Sequence, residues 1–201
     1  PQYKANREAM PEGLSESLPY IFKLLESLNI QVLSKDGYEA DDIIGTIAKS
    51  EEKKGFQVYM MTSDKDFAQL VSDNICMYRP ATKWEATSIW GVSEVLEKFQ
   101  VQTINQVVDF LAMMGDSADN VPGIPGVGKK TAQKFIKEFG SVEGLLNNLS
   151  QIKGKLKEKI ESSRDLALLC KKLVTIDTSV PISYDTESMK LVGFNEIKVS
   201  E

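Results

Sequence analysis

Residues Phe56 to Tyr78 read FQVYMMTSDKDFAQLVSDNICMY. The run Phe56 to Met61 has the length and apolar content of a buried strand, and Ile75 to Tyr78 repeats it, with a short amphipathic helix expected over Lys65 to Val71. Strand, helix and strand in this rhythm predict a parallel sheet of the doubly wound kind. In open sheets of that kind ligands gather outside the carboxyl ends of the strands. The acidic stretch T-S-D-K-D, Thr62 to Asp66, directly follows the first strand.

Outward from this centre, Ala40 to Lys53 reads as a helix ended by Gly55, and Ile30 to Leu33 as a short strand. Leu14, Leu18, Ile21, Leu25 and Leu28 recur at spacings of three and four, a helical face that Pro19 should kink or split into two abutting helices. Beyond Pro80 the character changes: Val92 to Phe99 and Ile104 to Met114 predict helices, Val121 to Gly128 is dense in proline and glycine, and Lys129 to Val174 reads as helix. The expected organisation is an α/β core over residues 1–90, an all-helical region over 91–178 and a tail or linker over 179–201.

Composition narrows the chemistry. With 201 residues, 42% of them hydrophobic and 26% charged, the chain suits a soluble globular protein with its own core. No apolar run approaches the roughly 18 residues of a membrane span, so no membrane partner and a cytoplasmic, nucleoid-associated location are expected. There is no histidine, which removes imidazole bases, serine or cysteine nucleophiles paired with histidine, and histidine-ligated zinc. Cys76 and Cys170 lie far apart and are expected to be buried free thiols. The net charge of -5 divides unevenly: Asp36 to Asp66 holds eight acids against four lysines, whereas Lys129 to Lys172 holds eleven bases against five acids. Lysine-rich helices often only solvate a face, but an acidic pocket beside a basic surface also suits a protein that holds cations against a polyanion.

The acids fall in three places. Glu39, Asp41 and Asp42 sit in G-Y-E-A-D-D, where a turn enters a helix; a cap and the helix dipole account for one of them but not for three. Asp64 and Asp66 follow the first strand, and Asp116 and Asp119 lie in G-D-S-A-D-N. Carboxylates gathered without histidine are ligands for magnesium or manganese. Two adjacent ions would clamp the attacking and leaving oxygens of a phosphate displacement.

The stretch V-P-G-I-P-G-V-G-K-K-T-A, Val121 to Ala132, is the most specific. Gly123, Gly126 and Gly128 permit a tight hairpin that feeds into a helix N-terminus, a natural phosphate cradle formed with Val127 and Lys129. Lys129 and Lys130 oppose the helix dipole there, a broken local rule that an anion would repair. Lys130, Lys134 and Lys137 share one face while Phe135, Ile136 and Phe139 can pack inward. Such a basic helix-hairpin-helix can hold a DNA backbone without reading sequence. The glycine spacing does not match a Walker loop, so nucleotide hydrolysis is not expected.

Taken together, Y-K-A-N-R (Tyr3 to Arg7), G-Y-E-A-D-D, T-S-D-K-D, G-D-S-A-D-N-V-P-G-I-P-G-V-G-K-K-T-A and L-V-T-I-D-T-S-V-P-I (Leu173 to Ile182) resemble, in order and over almost the whole chain, the 5' nuclease domains of bacterial DNA polymerases I and the related flap endonucleases. The resemblance implies a PIN-like, 5' nuclease-like α/β core followed by a helix-hairpin-helix region. It implies a structure-sensitive phosphodiesterase that acts on duplex DNA with a 5' flap, nick or RNA primer, using two divalent ions. Glu39 and Asp41, with Asp42 beside them, match the acids of the first ion; Asp64, Asp66 and Asp119 match those of the second, with Asp116 supporting. Lys4 and Arg7 match the basic residues that steer and polarise the scissile phosphate, and the hairpin can hold a potassium ion in relatives. A monomer linked to a polymerase domain is expected. The family begins with aspartate-bearing segments ahead of Y-K-A-N-R, so the stretch beginning at Pro1 is expected to cut poorly by itself. The rival reading is a DNA-binding fragment or relative that recognises nicks and junctions without cutting.

Overall fold

The computed structural model describes residues 3–193. The two apolar runs form neighbouring parallel strands, β1 (Val58–Met61) and β2 (Ile75–Arg79), with Val58 opposite Ile75 and Met61 opposite Tyr78. Between them a 3-10 helix, Lys65–Leu70, buries Phe67, Ala68 and Leu70. The sheet is not wholly parallel as expected: β3 (Ser88–Trp90) pairs antiparallel with β2, Met77 opposite Trp90. The physical reason is length, because the few residues between β2 and β3 close a hairpin and cannot make the dozen-residue crossover that a parallel return needs.

A second expectation fails at Ile30 to Leu33, which forms no strand. The three-stranded sheet runs β1-β2-β3, and Ile30 and Val32 stay 41% and 46% exposed. An extended run becomes a strand only where a second strand takes its hydrogen bonds; here the Ile30 N–H turns back to the Leu25 carbonyl of the preceding helix at 2.9 Å, and no strand among the described residues pairs with the run. Upstream, α1 (Glu12–Ser27) is one helix with Pro19 inside it rather than two. The helix is largely exposed, so water can serve the backbone groups that Pro19 leaves unpaired. Helix α2 (Ala40–Lys53) ends where Gly55 adopts a φ of 90°, close to its expected limit.

The helical part is built on α4 (Gln106–Met114), which buries Val107, Phe110, Leu111, Ala112 and Met113. It packs against α5 (Lys129–Phe139) and α8 (Arg164–Val174), and Phe110 meets Phe99 of α3 (Val92–Phe99) edge-on at 5.5 Å. The run from Lys129 to Val174 is interrupted rather than continuous. Gly140 at φ 79° ends α5, and Ser141 caps α6 (Val142–Asn147) by accepting the Gly144 N–H at 3.0 Å. Gly154 at φ 68° precedes α7 (Lys155–Ser162). The buried Asp109 carboxylate closes this region, accepting the Val142 N–H at 2.9 Å and pairing with Lys171 at 2.6 Å.

After α8 the chain has no regular structure, yet it follows the length of α2. Asp177 N–H donates to Asp42 at 2.9 Å, Val180 N–H to Thr46 Oγ1 at 3.1 Å, and the Tyr184 hydroxyl to Glu51 at 2.6 Å. Cys170 is buried, but Cys76, on a strand of a thin sheet, is only half-buried, contrary to expectation.

Candidate active site

Each acidic cluster owes its position to a local structural rule. Residues Glu39 to Asp42 enter α2 through a capping box, in which the Glu39 N–H donates to Asp42 Oδ2 at 3.2 Å. The other oxygen of Asp42 takes the Asp177 N–H, so both are engaged in anchoring. Asp64 caps the 3-10 helix by accepting the Asp66 N–H at 3.0 Å, which turns Asp66 inward. The Asp116 to Val121 loop is closed by paired backbone hydrogen bonds of 2.8 and 2.7 Å, and Asp116 Oδ1 accepts the Ala118 N–H at 2.8 Å.

These rules bring acids from all three clusters to one cleft of about 370 Å³, lined by Glu39, Asp41, Asp42, Asp66 and Asp119 together with Tyr3, Lys172 and Asp177. Asp64 is exposed beside the cleft, and Asp116 lines a neighbouring hollow around Gly115 and Pro122. The Tyr3 to Arg7 segment docks on the Asp116 to Asp119 loop: Lys4 N–H donates to the Asp119 carbonyl at 2.9 Å, and Asn6 to that of Ser117 at 2.8 Å. Lys4 Nζ pairs with Glu39 and lies 3.7 Å from Asp119, while Arg7 holds Asp119 at 2.6 Å. Both expected phosphate-steering groups are therefore ion-paired with site acids.

Charge is imperfectly balanced across the cleft. Burial pushes the Asp66 carboxyl up to about 6, partly opposed by Lys65, with Asp64, Asp116 and Asp119 raising it further. Asp66 Oδ1 is buried and accepts no hydrogen bond; its nearest cation is Lys65 Nζ at 3.6 Å. Burial also raises Asp41, and the charge of Asp64 adds to it. Asp116 is held below its usual value, because the Lys65 pair and backbone donors outweigh burial. Lys65 is thus a structural member of the site that the sequence reading passed over. An orphaned carboxylate oxygen among oxygen donors suits a hard divalent cation such as magnesium or manganese. Among the described residues no three acids converge closely enough to hold an ion.

The hairpin separates its expected residues into two groups. Val127 is 5% exposed with its N–H donated to the Ile124 carbonyl at 2.9 Å, and Gly123 is buried against the backbone of Met114 and Gly115. They face the interior and shape the turn, so the sequence reading of them as surface contacts is corrected. Gly126, Gly128, Lys129, Lys130 and Lys134 are exposed. Helix α5 begins with no side-chain cap and no acid in its first turn, while Phe135 and Ile136 are buried on its other face.

Residues 1–100 match the family model of the N-terminal resolvase-like domain of 5'-3' exonucleases, and residues 102–196 match that of their C-terminal SAM fold. The chain belongs to the 5'-3' exonuclease family. DNA polymerase I of Bacillus subtilis (strain 168) is 43% identical over 199 residues, which is 98% of this exonuclease-family chain and 22% of that relative. The chain thus spans under a quarter of the length of a full polymerase. A T5 flap endonuclease in a pseudo-enzyme–product complex with DNA and metal ions superposes with a TM-score of 0.73 at 25% identity, covering 89% of this chain and 67% of that one. A T5 5'-exonuclease with bound divalent zinc shares the fold at a TM-score of 0.75 and 24% identity, covering 100% of this chain and 74% of that one. The α/β core followed by a helical region is therefore the architecture of this exonuclease family. Among the described residues no helix is long and apolar enough to cross a membrane.

Proposed function

We propose that the chain carries the active site of a metal-dependent phosphodiesterase that trims DNA and RNA-primer strands at 5' ends, nicks and flaps, serving primer removal and repair. The observation that supports it is the convergence of Glu39, Asp41, Asp66 and Asp119 on one cleft, where Asp66 keeps a buried oxygen without a hydrogen-bond donor. In this reading Glu39 and Asp41 would hold one divalent ion, and Asp66 and Asp119, with Asp64 drawn in from beside the cleft, would close on a second when it binds. Asp42 anchors, and Asp116 acts through Lys65. Bound ions would supply charge to stabilise the attacking and leaving oxygens of the phosphate displacement. Lys4 and Arg7 keep Glu39 and Asp119 compensated before substrate arrives and lie ready to turn toward a phosphate. The uncapped α5 N-terminus with Lys129, Lys130 and Lys134 grips the adjoining duplex. A covalently linked polymerase, a monomeric state and a cytoplasmic location belong to the same reading.

The rival, a non-catalytic nick-binding role, draws support from the ion pairs that already neutralise Glu39, Asp116 and Asp119. Cleavage of a 5'-flap duplex by the complete nuclease domain separates the two. Magnesium or manganese should be required and EDTA should abolish cleavage. Asp66→Asn should lower turnover by at least the roughly 10–100-fold typical of residues that merely support metal ligands, with DNA affinity little changed. In this chain, manganese should raise the thermal midpoint of wild type but not of Asp66→Asn. EDTA-resistant cleavage would refute the metal reading, and binding of the flap duplex without cleavage in the presence of magnesium or manganese would establish the rival.

A further inference from the structure

We propose that the tip of the β2–β3 hairpin, Lys83 and Trp84, is a stacking site for an unpaired base of the single strand at the mouth of the cleft. The proposal rests on the nuclease reading above and adds a contact with the unpaired strand. At 85% exposure, Trp84 is the most exposed large apolar side chain among the described residues. Its presentation is built rather than incidental. Thr82 Oγ1 accepts the N–H groups of Trp84 at 3.2 Å and Glu85 at 3.0 Å, and Thr82 N–H donates to the Glu85 carbonyl at 2.8 Å. Such a side-chain-closed turn fixes the backbone from which the indole projects.

The stem ties this tip to the acidic loop. The hairpin leaves the carboxyl end of β2, the end of the sheet at which Thr62 to Asp66 leaves β1. Arg79 stacks 4.0 Å from the Trp90 ring centroid, and its guanidinium lies 3.5 Å from Glu85 and 3.5 Å from the Ser63 carbonyl, next to Asp64. Trp84 is thus held at a fixed place relative to the acid loop.

The surroundings select the ligand. Lys83 Nζ lies 5.1 Å from the Trp84 ring centroid, and Arg79 and Lys98 flank Trp90 at the root, with Glu85 as the acid that Arg79 faces. Thr82, Lys83 and Glu85 next to the indole are polar, so the tip lacks the apolar rim by which a protein partner would bury a tryptophan. An aromatic face with a cation beside it suits a base and its phosphate, whatever the sequence. Paired bases inside a duplex present no free face to it. The tip would therefore favour substrates carrying an unpaired strand.

The chain has two tryptophans, so Trp90→Phe makes Trp84 the sole indole reporter. In EDTA, to prevent cutting, this variant is titrated with a blunt duplex and with the same duplex bearing a single-stranded 5' extension. Emission should be quenched by the extended DNA and not by the blunt one. In the wild-type background Trp84→Ala should weaken the extended substrate by roughly 5- to 150-fold, as expected for one stacked base, and leave the blunt duplex unchanged. Trp84→Phe should restore part of the loss. Lys130→Ala with Lys134→Ala should weaken both DNAs, and failure of that control would count against the nuclease reading instead. Unchanged Trp84 emission, equal loss on both DNAs, or a concentration-dependent dimer that buries Trp84 would overturn the stacking site.

Discussion

Replacing Gly115 by alanine tests how far the position of the Asp116 to Asp119 loop depends on the close backbone approach at its base. Gly115 adopts φ 76° and ψ 174°, a region essentially restricted to glycine, where another residue is strained by about 1–3 kcal/mol. A Cβ there would lie 2.6 Å from the Val121 carbonyl oxygen, 2.7 Å from Gly123 N and 2.8 Å from Pro122 C. All three are backbone atoms and cannot swing aside as a side-chain tip would, so the loop itself must shift, at about another 1–3 kcal/mol. Together the loss is about 2–6 kcal/mol against a total domain stability of about 5–15 kcal/mol. Urea unfolding, followed by far-ultraviolet circular dichroism, should show the midpoint fall accordingly. Gly128→Ala is the control: φ is -96° there and nothing lies within 4 Å of the added carbon, so the change should stay within about 1 kcal/mol. Because the same loop carries Asp119, Gly115→Ala should also lose the manganese-induced rise in thermal midpoint. A Gly115→Ala midpoint within error of wild type, at equal slope, would refute this account.

Three further outcomes are expected. Lys130→Ala with Lys134→Ala should flatten the dependence of log K on log salt for duplex DNA by up to roughly 2, equally on two unrelated sequences; an unchanged slope would mean that this face is merely solvated. Burial lifts the Glu51 carboxyl, but hydrogen bonds from Lys54, Tyr184 and Thr186 outweigh it and hold it below 4.5, so its stabilisation is present above pH 4.5 and fades as pH falls through the folded value. The stability gap between wild type and Glu51→Gln, measured by unfolding across pH, should therefore close in acid. Asp42→Ala should cost about 0.5–2 kcal/mol as a lost cap while reducing turnover far less than Asp66→Asn, which kinetics and thermal unfolding together would show.

The fold was legible wherever a local rule acts without help from distant chain. Val58 to Met61 and Ile75 to Arg79 are apolar runs separated by enough residues for a crossover, and parallel pairing follows. Ile30 to Leu33 is similarly apolar but has no partner strand among the described residues, and composition alone could not distinguish the two cases. β3 was hidden for a related reason: Ser88 to Trp90 is too short to show a period, and only the hairpin turn at Thr82 makes it a strand. The tail after Thr175 offers neither helical nor strand periodicity. Its order comes from side chains of α2, Asp42, Thr46 and Glu51, each meeting a group more than a hundred residues away.

The same division runs through the site. The residue types and three clusters of acids could be read directly, because hard-cation chemistry depends on composition and on strand ends. Which acid does which work could not, since it is decided by what each carboxylate already accepts. Asp42 spends one oxygen on Glu39 N–H and the other on Asp177 N–H, whereas Asp66, two positions after the cap that orients it, keeps an oxygen free of hydrogen bonds. A sequence shows two aspartates in each case. Lys65 illustrates the converse: flanked by Asp64 and Asp66, it reads as their neutraliser, yet its pair is Asp116, fifty-one positions on. That pair leaves Asp66 with a cation at 3.6 Å and no donor, the one buried carboxylate oxygen among the described residues that accepts no hydrogen bond. If the phosphodiesterase reading holds, the loss of metal response should be steepest when Asp66 is changed and shallowest when Asp42 is, an order that follows from hydrogen bonding and not from the acidity of the two motifs.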